Sequence, residues 1–199
     1  MKPETTNFEK FQTGNLIVRR LIGRFFGKIR QKVATQPFYN MLDAGCGEGM
    51  TLYQLSDLVP KAISGFDLNP TCVEYTKKLF PDADVTVQDI YQLPYAAESF
   101  DLILCMEVLE HLPEPAEAIK SLKRVARGRL IFSVPHEPWF QLGSLCRGKY
   151  VKSFGNHPEH INHWSPASFK EFLQQEFDDV EVVTSFPWII AEVRLADSE

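Results

Sequence analysis

The sequence predicts an α/β fold: a doubly wound, mostly parallel sheet with one added helix in front of it. Three observations predict it. Short apolar runs alternate with helical patterns along most of the 199 residues, as a sheet covered by helices on both faces requires. A glycine turn, Asp43-Ala44-Gly45-Cys46-Gly47-Glu48-Gly49, joins the first apolar run to the first helical pattern. Acidic residues close the next runs, at the strand ends where open parallel sheets bind ligands.

The elements follow in order. Residues 39–42 read as the first strand and 51–58 as the first helix of the alternation. Residues 62–66 read as the second strand, ending at Asp67, and 70–80 as a helix stopped by Pro81. Residues 85–88 form the third strand, ending at Asp89-Ile90. The fourth, 100–106, is nearly all apolar, as buried parallel strands are; Glu107-Val108-Leu109-Glu110-His111 follows it. Glu114-Pro115 opens a helix with Pro in its first turn, and Gly128 is read as the residue just past its end. Residues 129–134 are the fifth strand, Ser165-Pro166 starts a helix, and 180–183 and 188–193 are the last two strands.

The turn has a definite chemistry. Its glycines permit a tight turn and close approach to a ligand. The helix beyond offers free N–H groups. The spacing is Gly-x-Gly-x-Gly, not the Gly-x-Gly-x-x-Gly of dinucleotide binders. Asp43 at its start would repel a pyrophosphate but hold an ammonium group. Asp67, about 20 residues after the turn, is spaced to bind ribose hydroxyls. Plainer readings exist for each: Asp67 as a helix cap, Asp89 as a solvated loop acid, Glu48 as a charge at a helix N-terminus, Gly45 as a turn residue only.

Taken together, these residues resemble the class I S-adenosylmethionine-dependent methyltransferases over about residues 38–135. The resemblance implies a Rossmann-like, seven-stranded sheet whose last strand is antiparallel, and S-adenosylmethionine as cofactor. It implies that Asp43, Gly45, Cys46 and Gly47 surround the methionine part and that Asp67 binds the ribose. It puts Leu68 against the adenine, with Asp89 and Ile90 at the adenine amino edge and Met106 and Glu107 near the cofactor. The core is similar to small-molecule enzymes such as the O-methyltransferases of ubiquinone biosynthesis. No Asn-Pro-Pro-Tyr-like motif follows the fourth strand, which disfavours methylation of DNA bases.

Composition agrees. The chain is 44% hydrophobic and 24% charged, enough for a real core. A net charge of −5 argues against a nucleic-acid footprint over the whole surface. The four cysteines, Cys46, Cys72, Cys105 and Cys146, show no metal or redox spacing, which suggests a reducing, cytoplasmic setting. The first residues do not read as a signal peptide, and no apolar run reaches spanning length.

Two segments stand outside the alternation. Residues 1–37 are expected to form a cap helix ahead of a methyltransferase domain at 38–199. There Val18, Leu21, Ile22, Phe25, Phe26, Ile29 and Val33 share a face, with Arg19, Arg20, Arg24 and Arg30 mostly opposite. Docking on the domain is the favoured expectation. The alternative is a basic helix, residues 16–33, resting on anionic lipid with its two Phe as anchors. The insert 136–164 is expected to be a lid over the acceptor pocket, with His136, Trp139, His160 and His163 as candidate lining. A hydroxyl acceptor must lose a proton, and histidine is best poised to take it, so His111, His160 and His163 are the candidate catalytic residues.

The expected function is methylation of a small-molecule acceptor on oxygen, with no metal. Glu107, Glu110, His111 and a distant histidine also resemble the metal-binding pattern of the small-RNA terminal ribose methyltransferases, which gives metal-dependent ribose 2'-O-methylation as an alternative. A non-catalytic cofactor-binding module tethered to membrane is a third.

Overall fold

The computed structural model describes residues 15–60, 62–137 and 160–196. Seven strands make one sheet: β1 (Asn40–Ala44), β2 (Ala62–Asp67), β3 (Asp84–Val87), β4 (Phe100–Met106), β5 (Ala126–Pro135), β6 (Asp179–Ser185) and β7 (Trp188–Arg194). Their order is β3-β2-β1-β4-β5-β7-β6. The first five run parallel, and β7 is antiparallel to both β5 and β6. The helices are α1 (Leu16–Val33), α2 (Met50–Gln54), α3 (Pro70–Leu79), α4 (Pro115–Val125) and α5 (Pro166–Gln174). Strand order reverses between β1 and β4, so ligands are expected at the carboxyl ends of these two strands.

The period of two along each strand splits the core. In β4, Ile103 and Cys105 pack with Leu122 of α4 and Phe169 of α5. Leu102 and Leu104 face the other way, toward Phe25, Phe26, Ile29 and Val33 of α1. Helix α1 is therefore docked. Phe25 and Phe26 are each only 5% exposed, which removes them as lipid anchors.

Buried charge fixes the end of α1. Arg129 of β5 donates to the carbonyls of Lys32, Val33 and Gln36, groups left without helical partners. Its guanidinium also lies 3.3 Å from Glu192 of β7, which accepts from Lys32 Nζ at 3.0 Å. Arg129 and Glu192 are almost wholly buried, so each charge depends on the other for its burial.

Two local expectations change, and the plainer reading of Asp67 as a helix cap falls away. α2 has five residues rather than eight, because Arg30 donates to the Gln54 carbonyl and pairs with Asp57, ending the helix there. The helix-dipole contribution at the glycine turn is correspondingly smaller. β5 begins at Ala126, so Gly128 lies within the strand, not beyond a helix. A Cβ on Gly128 would stand 2.4 Å from the Asp101 carbonyl oxygen, and its absence lets the two strands close. Asn69, not Asp67, caps α3, accepting from the Thr71 N–H.

Candidate active site

The glycine turn leaves β1 and folds back over β2. The N–H groups of Gly45 and Cys46 both donate to the Phe66 carbonyl, at 2.9 and 2.8 Å. Gly45, Gly47 and Gly49 have φ of 72°, 51° and 75°, a region that L side chains rarely adopt. Gly45 has a second constraint: a Cβ there would meet Val108 at 2.5 Å. Gly47 has open space where a Cβ would stand.

The acids sit around this turn. Asp43 is 1% exposed, and its Oδ2 has no hydrogen-bond partner among the described residues. Burial, helped by the charge of Asp67, pushes its pKa up to about 7. Asp67 ends β2. Its Oδ2 accepts from the Gly47 N–H at 2.9 Å and its Oδ1 from the Asn69 N–H at 2.8 Å. Each carboxylate oxygen has further lone-pair capacity for a ligand hydroxyl. Leu68 is 73% exposed beside it. Asp89 accepts from the Tyr91 N–H in a local turn, and Ile90 packs into the core. These groups line the carboxyl edge of β1, β2 and β3 in sheet order.

Glu107 follows β4 in a left-handed conformation, φ 58°, an outlier of the kind that concentrates at functional sites. Its carboxylate is held from two sides: Ser133 Oγ donates to Oε1 and Trp188 Nε1 to Oε2, both at 2.8 Å. Gly45, Cys46, Gly47, Met106 and Glu107 line one hollow, closed above by Ile22, Phe25 and Phe26 of α1 and by Trp188. Trp188 packs on Phe25 with ring centroids 4.9 Å apart. Sequence reasoning missed Trp188 and Ser133. Only their positions at strand ends, opposite Pro135 and Met106, could have pointed to them.

The histidines divide. His111 and His160 stack edge to face at 4.9 Å. With Glu110, 1% exposed, they place one ligand-type atom each within 4.8 Å of one another. Residues 160–162 are stitched to the turn after β4: Ile161 and Asn162 N–H donate to the Glu110 carbonyl, and Asn162 Nδ2 to the carbonyls of Leu109 and Leu112. His163 falls elsewhere, with Nδ1 3.9 Å from Glu137. Burial lowers the pKa of His136, which bridges to Trp164 across the base of the insert. Trp139, Cys146 and His157 lie outside the described residues. Cys46, Cys72 and Cys105 are free thiols, with pKa values raised chiefly by burial.

The residues fit S-adenosylmethionine. An orphaned buried carboxylate oxygen suits an ammonium, the open space at Gly47 admits close approach, and an acid at the end of β2 suits a ribose.

Comparison with known proteins agrees. A family profile described as a methyltransferase domain matches residues 42–132. The ubiquinone biosynthesis O-methyltransferase of Coxiella burnetii (strain Dugway 5J108-111) is 33% identical over 146 residues, covering 63% of this chain and 61% of that protein. The chain thus spans less than two thirds of the curated relatives it matches first. Two solved structures share the fold at 19% identity. Magnesium protoporphyrin IX methyltransferase from Synechocystis PCC 6803, with S-adenosylhomocysteine bound, has a TM-score of 0.67 and covers 96% of this chain and 95% of its own. The small RNA methyltransferase HEN1 has a TM-score of 0.72 and covers 88% and 25%. Residues 42–132 thus match a methyltransferase domain, and the turn and strand order around them are those of the class I S-adenosylmethionine-dependent methyltransferase fold.

Proposed function

We propose that the chain transfers a methyl group from S-adenosylmethionine to a hydroxyl of a small-molecule acceptor, in the cytoplasm. The His111–His160 pair over buried Glu110 carries this reading. The bound cofactor supplies an electrophilic methyl on a sulfonium that is already a good leaving group, so the protein must align the acceptor and take its proton. Asp43 faces the cofactor ammonium and Asp67 the ribose. Leu68, Asp89 and Ile90 take the adenine, and Cys46, Met106 and Glu107 border the methionine end. His111 or His160 accepts the acceptor proton. His163, paired with Glu137, is the weaker candidate. The lid expected at 136–164 and the cap expected at 1–37 ahead of a domain at 38–199 lie in part, at 138–159 and 1–14, outside the described residues. Mass spectrometry of products from a panel of phenols and quinols would identify O-methylation. His111→Asn or His160→Asn should lower turnover about 10²–10⁴-fold with cofactor affinity kept. Full turnover in both would leave alignment as the source of catalysis.

The compact Glu110, His111, His160 set also favours a second reading, metal-dependent methylation of an RNA terminal ribose. The net charge of −5 opposes it. A chelator should leave activity unchanged on the first reading. Activity lost in chelator and restored by manganese would favour the second. A cofactor-binding module without catalysis would show affinity but no turnover.

A further inference from the structure

Helix α1 holds six of the chain's 21 basic residues and none of its 26 acids. Two of the six have acidic partners: Arg30 lies on Asp57, and Lys32 on Glu181 and Glu192. Arg19, Arg20, Arg24 and Lys28 form no ion pair among the described residues. Lys28 donates only to the Thr184 carbonyl. At 100° per residue, Leu16, Ile17, Arg20, Arg24 and Gln31 stand on the side opposite the buried Phe25 and Ile29, with Arg19 and Lys28 flanking them. Leu16 and Ile17 are 76% and 72% exposed. Phe186, 52% exposed, stands beside Arg24 and Lys28 in a groove between α1 and the β6–β7 turn.

A protein of net charge −5 is repelled by an anionic surface unless it turns one cationic face toward it. A polyanion such as RNA would use the cations alone. Neighbouring exposed apolar side chains at the end of the same face suit a bilayer, where they enter the acyl boundary while arginines meet headgroups. We propose that the outer face of α1 seats the protein on an anionic lipid surface through Arg19, Arg20, Arg24 and Lys28, with Leu16 and Ile17 entering the interface. The inner face of the same helix supplies Ile22, Phe25 and Phe26 to the hollow at the glycine turn. One helix thickness therefore separates lipid from site. Resting on the methyl-transfer reading, this makes the acceptor a hydroxyl compound with an apolar body, taken from the bilayer.

Vesicle co-sedimentation tests it, using the full chain with phosphatidylcholine alone and with phosphatidylcholine containing phosphatidylglycerol. Binding should require the anionic lipid and be lost at high salt. Each cation near the surface contributes a factor of about five, so R20E/R24E should cut partitioning by two orders of magnitude or more, as about four units of charge are reversed. Leu16→Ser with Ile17→Ser should weaken binding to the anionic vesicles at low salt. Calorimetry with S-adenosylhomocysteine should give unchanged affinity in both variants, showing an intact fold. No binding of the wild type to anionic vesicles overturns the proposal. So does binding indifferent to R20E/R24E, or R20E/R24E-sensitive binding to RNA without binding to vesicles. Since cofactor affinity and turnover of a water-soluble acceptor are measured separately, failure of the lipid arm leaves the methyl-transfer reading standing.

Discussion

Asp43 should make cofactor binding release a proton. Its carboxyl is 1% exposed and lies near Asp67, which together raise its pKa from 3.8 to about 7 in the empty protein. An ammonium at its Oδ2 would favour the charged form and force ionisation. At about pH 6 the empty site is mostly protonated, so binding should expel close to one proton, and Kd should fall about tenfold per pH unit up to about 7. Above that the slope vanishes, until the ligand's own amino group titrates near the α-amino range, about 7.7–8.0.

The empty protein shows the same linkage with a definite sign. Between 3.8 and about 7 the unfolded carboxyl has lost its proton and the folded one has kept it. The unfolded state then binds fewer protons, so stability falls as pH rises through this window and levels off above it. About three pKa units correspond to about 4 kcal/mol as an upper magnitude. Calorimetry with S-adenosylhomocysteine, in buffers of different ionisation enthalpy, counts the protons released. Denaturant unfolding of wild type and Asp43→Asn gives the stability difference, which should grow in favour of Asn toward neutral pH. A Kd independent of pH below 7, or a slope that persists in Asp43→Asn, would refute the assignment of Asp43 to the ammonium.

Three further outcomes are expected. Asp67→Ala should weaken cofactor binding by about 1.5–3 kcal/mol, seen by calorimetry, because it removes the ribose acceptor and frees the Gly47 N–H. Gly45→Ala should destabilise by about 2–4 kcal/mol in denaturant unfolding, from positive φ and the Val108 contact. Adding Val108→Ala should restore only the steric part. Trp188→Phe should leave Glu107 Oε2 without its indole donor, costing about 1–3 kcal/mol of stability by the same measurement.

The parallel strands were legible because strands buried on both faces read as continuous apolar runs, and 100–106 has nothing else to become. The glycine turn was legible because few residues tolerate its dihedrals. The docking face of α1 was legible from its period. The end of α2 was not, since it depends on Arg30 reaching across from another helix. Nor was Gly128 inside β5: a glycine after a helical pattern looks like a stop until the Asp101 carbonyl is seen against it. Arg129 in an apolar strand gave no sign that it would bury against Glu192, 63 positions on. Of the three candidate histidines, spacing alone could not separate His160, stacked on His111, from His163, three residues later and facing Glu137.

The hollow at the glycine turn is roofed by α1 and walled by Trp188, which opens β7. These are the first and last regular elements described. β7 also slots between β5 and β6 rather than adding to the sheet edge. During synthesis, then, α1 emerges early but has neither Glu192 to neutralise Arg129 nor Trp188 to close its site until β7 has been made. Contacts of such long sequence separation form late. A growing chain that has completed β1 to β5 already holds the glycine turn, yet it cannot enclose a ligand. Occupancy of the site is deferred until β7 has been made.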